Sequence, residues 1–149
     1  MSPIYFLADG DEEALHFVAH FEDLLTAHHV RAHDMITVPH LTSLPDIAEG
    51  VPVTVDLSAI RQIWPNMPED PEHDQSWMAE PIIERVADPL RDRVAAIRPG
   101  RVPEVTDAWT AELSGAVSDG FSRQLATDLI HLAQRGRDRR LGLYNWYEV

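Results

Sequence analysis

The 149-residue chain has no cysteine and no lysine. Without cysteine there are no disulfides, thiol nucleophiles, zinc–thiolate sites or iron–sulfur clusters. Without lysine there is neither a Schiff-base amine nor a P-loop lysine. The seven glycines make no Gly-x-Gly-x-x-Gly turn, no Walker pattern and no Gly-x-Ser-x-Gly elbow. Nucleotide binding and serine-elbow catalysis therefore have no motif to stand on. No long apolar run is present, and the opening Met-Ser-Pro-Ile-Tyr-Phe-Leu-Ala-Asp has no basic stretch. A secretory signal and a membrane span are not expected, and the cytoplasm of an arginine-favouring cell is the expected address.

What is present is acid. The formal net charge is −13. Residues 1–80 hold 15 acids against only Arg31 and Arg61, whereas residues 81–149 hold ten acids and ten arginines. This imbalance argues against nucleic acid and against anionic membranes, both of which need clustered cations. It suits solubility first, then a cationic partner or a metal. Mimicry of nucleic acid would rest on charge alone. The eight histidines could remove much of the negative charge on protonation, so a pH-dependent association is expected if they lie at a contact.

At this length the chain is expected to be one domain, burying roughly 68–70% of its unfolded surface. Ile4 to Ala8 reads as a buried strand. Asp9 is in N-cap position with Glu12 in capping-box spacing. Asp11 to His28 then reads as one amphipathic helix whose stripe is Ala14, Phe17, Val18, Phe21, Leu24 and Leu25. Met35–Val38 and Val51–Val55 read as strands, with Pro39, Pro45 and Gly50 breaking any long element between them. Asp56 or Ser58 is expected to cap a short helix through Ala59, Ile60 and Ile63. Residues 65–76, with three prolines and four acids, read as an exposed acidic loop.

Ile82–Val86 is expected as a strand. Asp88-Pro89 signals a helix running to about Ile97. Another helix opens at Pro103, with Val105, Ala108, Trp109 and Leu113 as its apolar side, and 114–120 follow as a loop. The last helix, Phe121 to Arg139, carries Leu125, Leu129, Leu132, Ala133 and Gly136 on one stripe, with arginines in its final turn. Leu141–Val149 closes the chain as an aromatic strand. The mixture predicts an α+β domain with a mixed sheet holding the N- and C-terminal strands, packed by about four helices.

Two residue groups could carry function. On the first helix, His16 and His20 fall opposite the apolar stripe with Glu13 and Asp23 beside them. An i, i+4 histidine pair can offer two nitrogens to one metal ion. The glutamate of a His-Glu-x-x-His helix is missing, so a solvated face is the ordinary reading. In the second group, Arg137, Arg139 and Arg140 precede Tyr144 and Trp146. Arginine with aromatics is the composition of interface anchors, and the arginines could also grip a small anion.

Two stretches resemble a group of small uncharacterised actinobacterial proteins: Asp-Pro-Leu-Arg-Asp-Arg-Val-Ala-Ala-Ile with Val-Pro-Glu-Val-Thr-Asp-Ala-Trp-Thr, and the closing run from Leu129 to Val149. The resemblance covers about the C-terminal 60 residues. It implies a small cytoplasmic α+β protein and brings no catalytic residue. The expected function is therefore non-catalytic: protein–protein binding or regulation, through a protein partner or self-association as a homodimer. The alternative is a divalent-metal protein or metal-dependent enzyme using Glu13, His16, His20 and Asp23. No other cofactor is expected.

Overall fold

The computed structural model describes residues 3–32, 38–113 and 119–148. They form one α+β fold. Strand β1 (Ile4–Ala8) is followed by α1 (Asp11–Ala19), α2 (Phe21–Leu24), β2 (His29–Arg31) and α3 (Val38–Glu49). Then come β3 (Ile60–Trp64), β4 (Ile82–Val86), α4 (Asp88–Ala95), α5 (Val102–Glu112), α6 (Asp119–Arg139) and β5 (Gly142–Tyr147). The five strands lie in the order β2-β1-β5-β4-β3. The first and last strands of the chain share this sheet, as expected, and are neighbours at its centre. Every pairing is antiparallel, so the sheet is not mixed. Six α-helices, rather than four, occur among the described residues.

Both faces of the sheet are covered, which explains why β1 is buried along its whole length. Alternate side chains point to opposite faces. Tyr5, Leu7, Val86 and Leu143 enter a core shared with α3, α4, α5 and α6. Ile4, Phe6, Ile83, Tyr144 and Trp146 enter a second core beneath α1 and α2. At Gly136 the long helix α6 comes close to the sheet. A Cβ there would meet Leu7 Cδ2 at 3.0 Å and Arg91 Cδ at 3.2 Å.

Helix ends account for several departures from expectation. Gly10, not Asp9, caps α1, and no side chain closes a capping box. The first helix is not continuous to His28. It ends at Ala19, His20 leaves helical geometry at φ −134° and ψ 63°, and a short α2 restarts at Phe21. The break lets Phe21 lie against Trp146, ring centroids 5.1 Å apart, while Leu24 is wholly buried. Asp88 is the first residue of α4 rather than its cap, with Pro89 in the first turn. In α5, Val105, Trp109 and Leu113 are buried but Ala108 is exposed.

The segment between β2 and β3 departs most. Positions 35–37 of the expected strand lie outside the described residues, and Val38 begins α3. That helix runs through Pro45. Proline removes one ladder bond, but Leu41 and Leu44 are wholly buried, and packing outweighs the local penalty. Asp56 does cap a turn, accepting from Ser58 N at 3.0 Å, but the turn is a short 3-10 segment leading into β3 rather than a helix. Of the expected 114–120 loop, 114–118 lie outside the described residues and 119–120 belong to α6. The 65–76 stretch is exposed over most of its length, as expected.

Across the face covered by α3–α6, one row of the sheet is polar. Tyr5, Asn145, Glu84 and Gln62 are successive cross-strand partners. Asn145 is fully buried, with its amide directly across from the Glu84 carboxyl. Burial raises the Glu84 carboxyl above its ordinary range, more than hydrogen bonding lowers it. Tyr147 Oη donates to Glu84 at 3.2 Å. A carboxyl raised on folding gives stability at low pH that is lost as pH rises through its folded value. Glu84→Gln is therefore expected to stabilise the fold at pH 7.5 by about 1 kcal/mol, a melting shift of roughly 2–4 °C. The gain should vanish near pH 3.5. Thermal unfolding of both proteins at the two pH values reads this directly, and a destabilised variant at pH 7.5 would contradict it.

Candidate functional site

Helix α3 ends in a Schellman closure. Gly50 has φ +69°, its N–H reaches Ile47 O at 3.2 Å, and Val51 N–H reaches Asp46 O at 3.1 Å. The chain then runs through Val51-Pro-Val-Thr-Val-Asp-Leu57. The residues expected to pair as the strand Val51–Val55 make no ladder with the sheet. Beyond the Val51 bond of that closure, they are fastened to α3 at Thr54. Asp46 Oδ2 accepts from Thr54 N at 3.0 Å, and Thr42 Oγ1 donates to Thr54 O at 3.5 Å. Thr42 and Asp46 are one helical turn apart, so they present to the same side. A residue whose N–H and C=O point the same way has extended backbone, and its two neighbours point the opposite way.

Asp46 is itself held. It is 5% exposed, and Arg93 Nη2 on α4 donates to its Oδ1 at 2.8 Å while gripping both oxygens of Glu49 at 2.9 and 2.6 Å. Burial opposes ionisation of Asp46, but bonds from Thr54 and Arg93 outweigh it and hold the carboxyl below its ordinary value. Segment, α3 and α4 thus meet at one charged knot beside a concavity of about 300 Å³.

The outward side of this segment is apolar. Val51, Val53, Val55 and Leu57 are 46%, 40%, 61% and 68% exposed. No hydrogen bond reaches the backbone of Val53 or Val55 among the described residues. Four large apolar side chains at every second position, with the backbone of Val53 and Val55 unpaired, form an open extended edge that ends where Leu57 begins the 3-10 turn.

The histidine face is organised only in part. His16, His20 and Asp23 bring one ligand atom each within 4.8 Å of one another, and all three are exposed. Glu13 is not in this group. His16 Nε2 donates to Asp23 Oδ2 at 2.8 Å, and the two imidazoles stack at 4.3 Å. The trio sits where α1 breaks; His16 lines an open concavity with Asp9–Glu13, but His20 and Asp23 do not.

The arginine–aromatic group is divided. Tyr144 and Trp146 are 0% and 3% exposed and belong to the core under α1 and α2. They are therefore not surface anchors, because the sheet face they occupy is covered by α1 and α2. Arg137 donates to Asp138 at 3.0 Å and to Ala95 O at 3.2 Å. Arg140 occupies the left-handed position, φ 57°, that ends α6. Only Arg139 turns to a neighbour of functional interest, His28.

A second charged knot lies at the start of α1. Asp11 Oδ2 accepts from Arg61 at 2.8 Å, and Oδ1 accepts from Tyr144 Oη at 2.8 Å and Arg85 at 3.0 Å. Both carboxylate oxygens are committed, so the arrangement braces α1 against β3, β4 and β5 and offers no free base. None of the concavities beside these groups is lined by Glu84. No helix among the described residues is long and apolar enough to cross a membrane. Comparison of the chain with protein-family models, curated proteins and solved structures yields no match.

Proposed function

We propose that this protein is a non-catalytic binding module that acts through protein–protein contact, and that its working contact joins two copies along Val51–Leu57. The carrying observation is the row of exposed apolar side chains at 51, 53, 55 and 57 beside the backbone of Val53 and Val55, which has no partner among the described residues. An antiparallel pairing about a two-fold axis at Thr54 places Val53 opposite Val55 of the second copy, with Val51 and Leu57 flanking the pair. Apolar side chains then meet only apolar ones. Asp56, the one charge in the segment, faces Pro52 rather than itself. Pro52 lacks an N–H, but its backbone points inward with that of Thr54, so no bond of the pairing is lost. A divalent metal at His16, His20 and Asp23 is the alternative, and a trio exposed at all three residues supports it less.

A contact this small is weak, with a dissociation constant on the order of 10–100 μM. Two chains of net charge −13 repel each other, so association should strengthen as salt screens them. Sedimentation equilibrium tests both points. The expected result is a reversible dimer that tightens between 50 and 500 mM salt and is abolished in the doubly substituted Val53→Asp, Val55→Asp chain. A monomer at millimolar concentration, or a dimer indifferent to the substitutions, would overturn the reading.

A further inference from the structure

At the opposite edge of the sheet, β2 and α6 gather cations. Arg135 Nη1 lies 3.1 Å from His28 Nδ1, and Arg139 Nη1 lies 2.7 Å from His28 Nε2. A guanidinium only donates. A neutral imidazole has one N–H and one acceptor, and a protonated one has no acceptor at all. At least one of the two contacts therefore sets N–H against N–H. Burial, and then the Arg135 and Arg139 charges, push the His28 imidazole below its ordinary range, in keeping with a surplus of positive charge.

Among the described residues Arg31, Arg135 and Arg139 form no ion pair. Arg31 and Arg135, with His29 and His131, line a concavity of about 400 Å³; His28 and Arg139 lie outside that lining, joined to it through Arg135. Asp128 is the one carboxylate in that lining, and it accepts from Gln124 at 2.9 Å. Such a cluster is unexpected in a chain this acidic, where most other arginines are ion-paired.

We propose that Arg135, Arg139 and His28, with Arg31, His29 and His131 beside them, form a binding site for a phosphate-type oxyanion. Such a group accepts from both guanidiniums at once, through charge-assisted bonds in fork geometry. It also frees His28 from facing two donors, so that the imidazole, protonated or neutral, can donate to the same oxyanion. The long-range field of the protein repels anions, so recognition is local and falls steeply with salt. The site is independent of the Val51–Leu57 edge: β2 and β3 are opposite borders of the sheet.

The test is titration of the full chain with inorganic phosphate, followed by the ring resonances of His28. The expected result is saturable binding with a rise in the His28 titration midpoint. Affinity should fall at least tenfold in the doubly substituted Arg135→Ala, Arg139→Ala chain, and less in the matching Lys variants. Arg98→Ala changes net charge at an exposed position elsewhere and should leave binding unchanged. Methyl phosphate and a phosphoserine peptide distinguish the source: a tighter phosphopeptide assigns the site to a phosphate carried on a larger molecule, and equal affinities assign it to the free ion. No saturation by 10 mM phosphate, or equal weakening by Arg98→Ala, would overturn the proposal.

Discussion

Trp109→Ala is expected to destabilise the protein by about 3–5 kcal/mol, the range for emptying a buried aromatic site. Trp109 is wholly buried on α5, in the core that α3–α6 share with the sheet. Its indole Nε1–H donates to His40 O at 3.1 Å and to Ser43 Oγ at 3.0 Å, so the ring also holds the first turns of α3. Alanine removes the ring volume and the N–H together. Trp109→Phe separates them, because it keeps most of the volume, and should cost about 1–2 kcal/mol. Domains of this kind are stable by about 5–15 kcal/mol, so the alanine variant stands near the limit of folding. Urea unfolding measures both variants. A loss below 1 kcal/mol for Trp109→Ala would contradict this picture of the core.

The second large effect is at Asp11. Asp11→Ala should cost about 2 kcal/mol at pH 7, after discounting for the third of the carboxylate that water reaches. The substitution strands Tyr144 Oη and removes the carboxylate between Arg61 and Arg85. Burial opposes ionisation of Asp11, but the bonds from Arg61, Tyr144 and Arg85 prevail, so its carboxyl lies below its ordinary value. A carboxyl lowered on folding gives stability that is present above the unfolded value and lost as pH falls through the folded one. The penalty of Asp11→Ala should thus shrink on acidification. Glu84 responds with the opposite sign, because burial rather than pairing sets its carboxyl. Stability curves of the two variants against pH should therefore diverge at neutral pH and converge at low pH. Parallel curves would contradict both assignments.

The elements that were readable in the sequence are those whose local pattern and tertiary role agree. β1 and β5 are near-continuous apolar runs because both faces of the sheet are covered. α6 shows its stripe because one side packs and the other faces water. α3 was not readable: its prolines signal a break, and burial of Leu41 and Leu44 outweighs that signal. The single long first helix was an error of the opposite kind. The stripe continues past His20, but the route of the chain does not.

Of the candidate sites, the sequence showed the alternation in Val51–Val55 but not that its partner is missing, which is a property of topology. The His16–His20 pair was visible, and Asp23 does join it, but shelter depends on neighbours from elsewhere in the chain. Tyr144 and Trp146 looked like interface anchors because composition does not say which face of a strand is covered. The cluster at His28 had no local signal at all: Arg135 and Arg139 are 107 and 111 residues away in the chain.

Amide hydrogen exchange along 51–57 as a function of protein concentration bears most directly on the strand-edge contact. Thr54 N–H is bonded to Asp46 within one chain and should be protected at every concentration. Val53 and Val55 N–H should exchange freely in dilute protein and become protected as concentration passes the dimer dissociation constant. If those two amides exchange at the unprotected rate up to millimolar protein, the edge is not a contact and the proposed function fails.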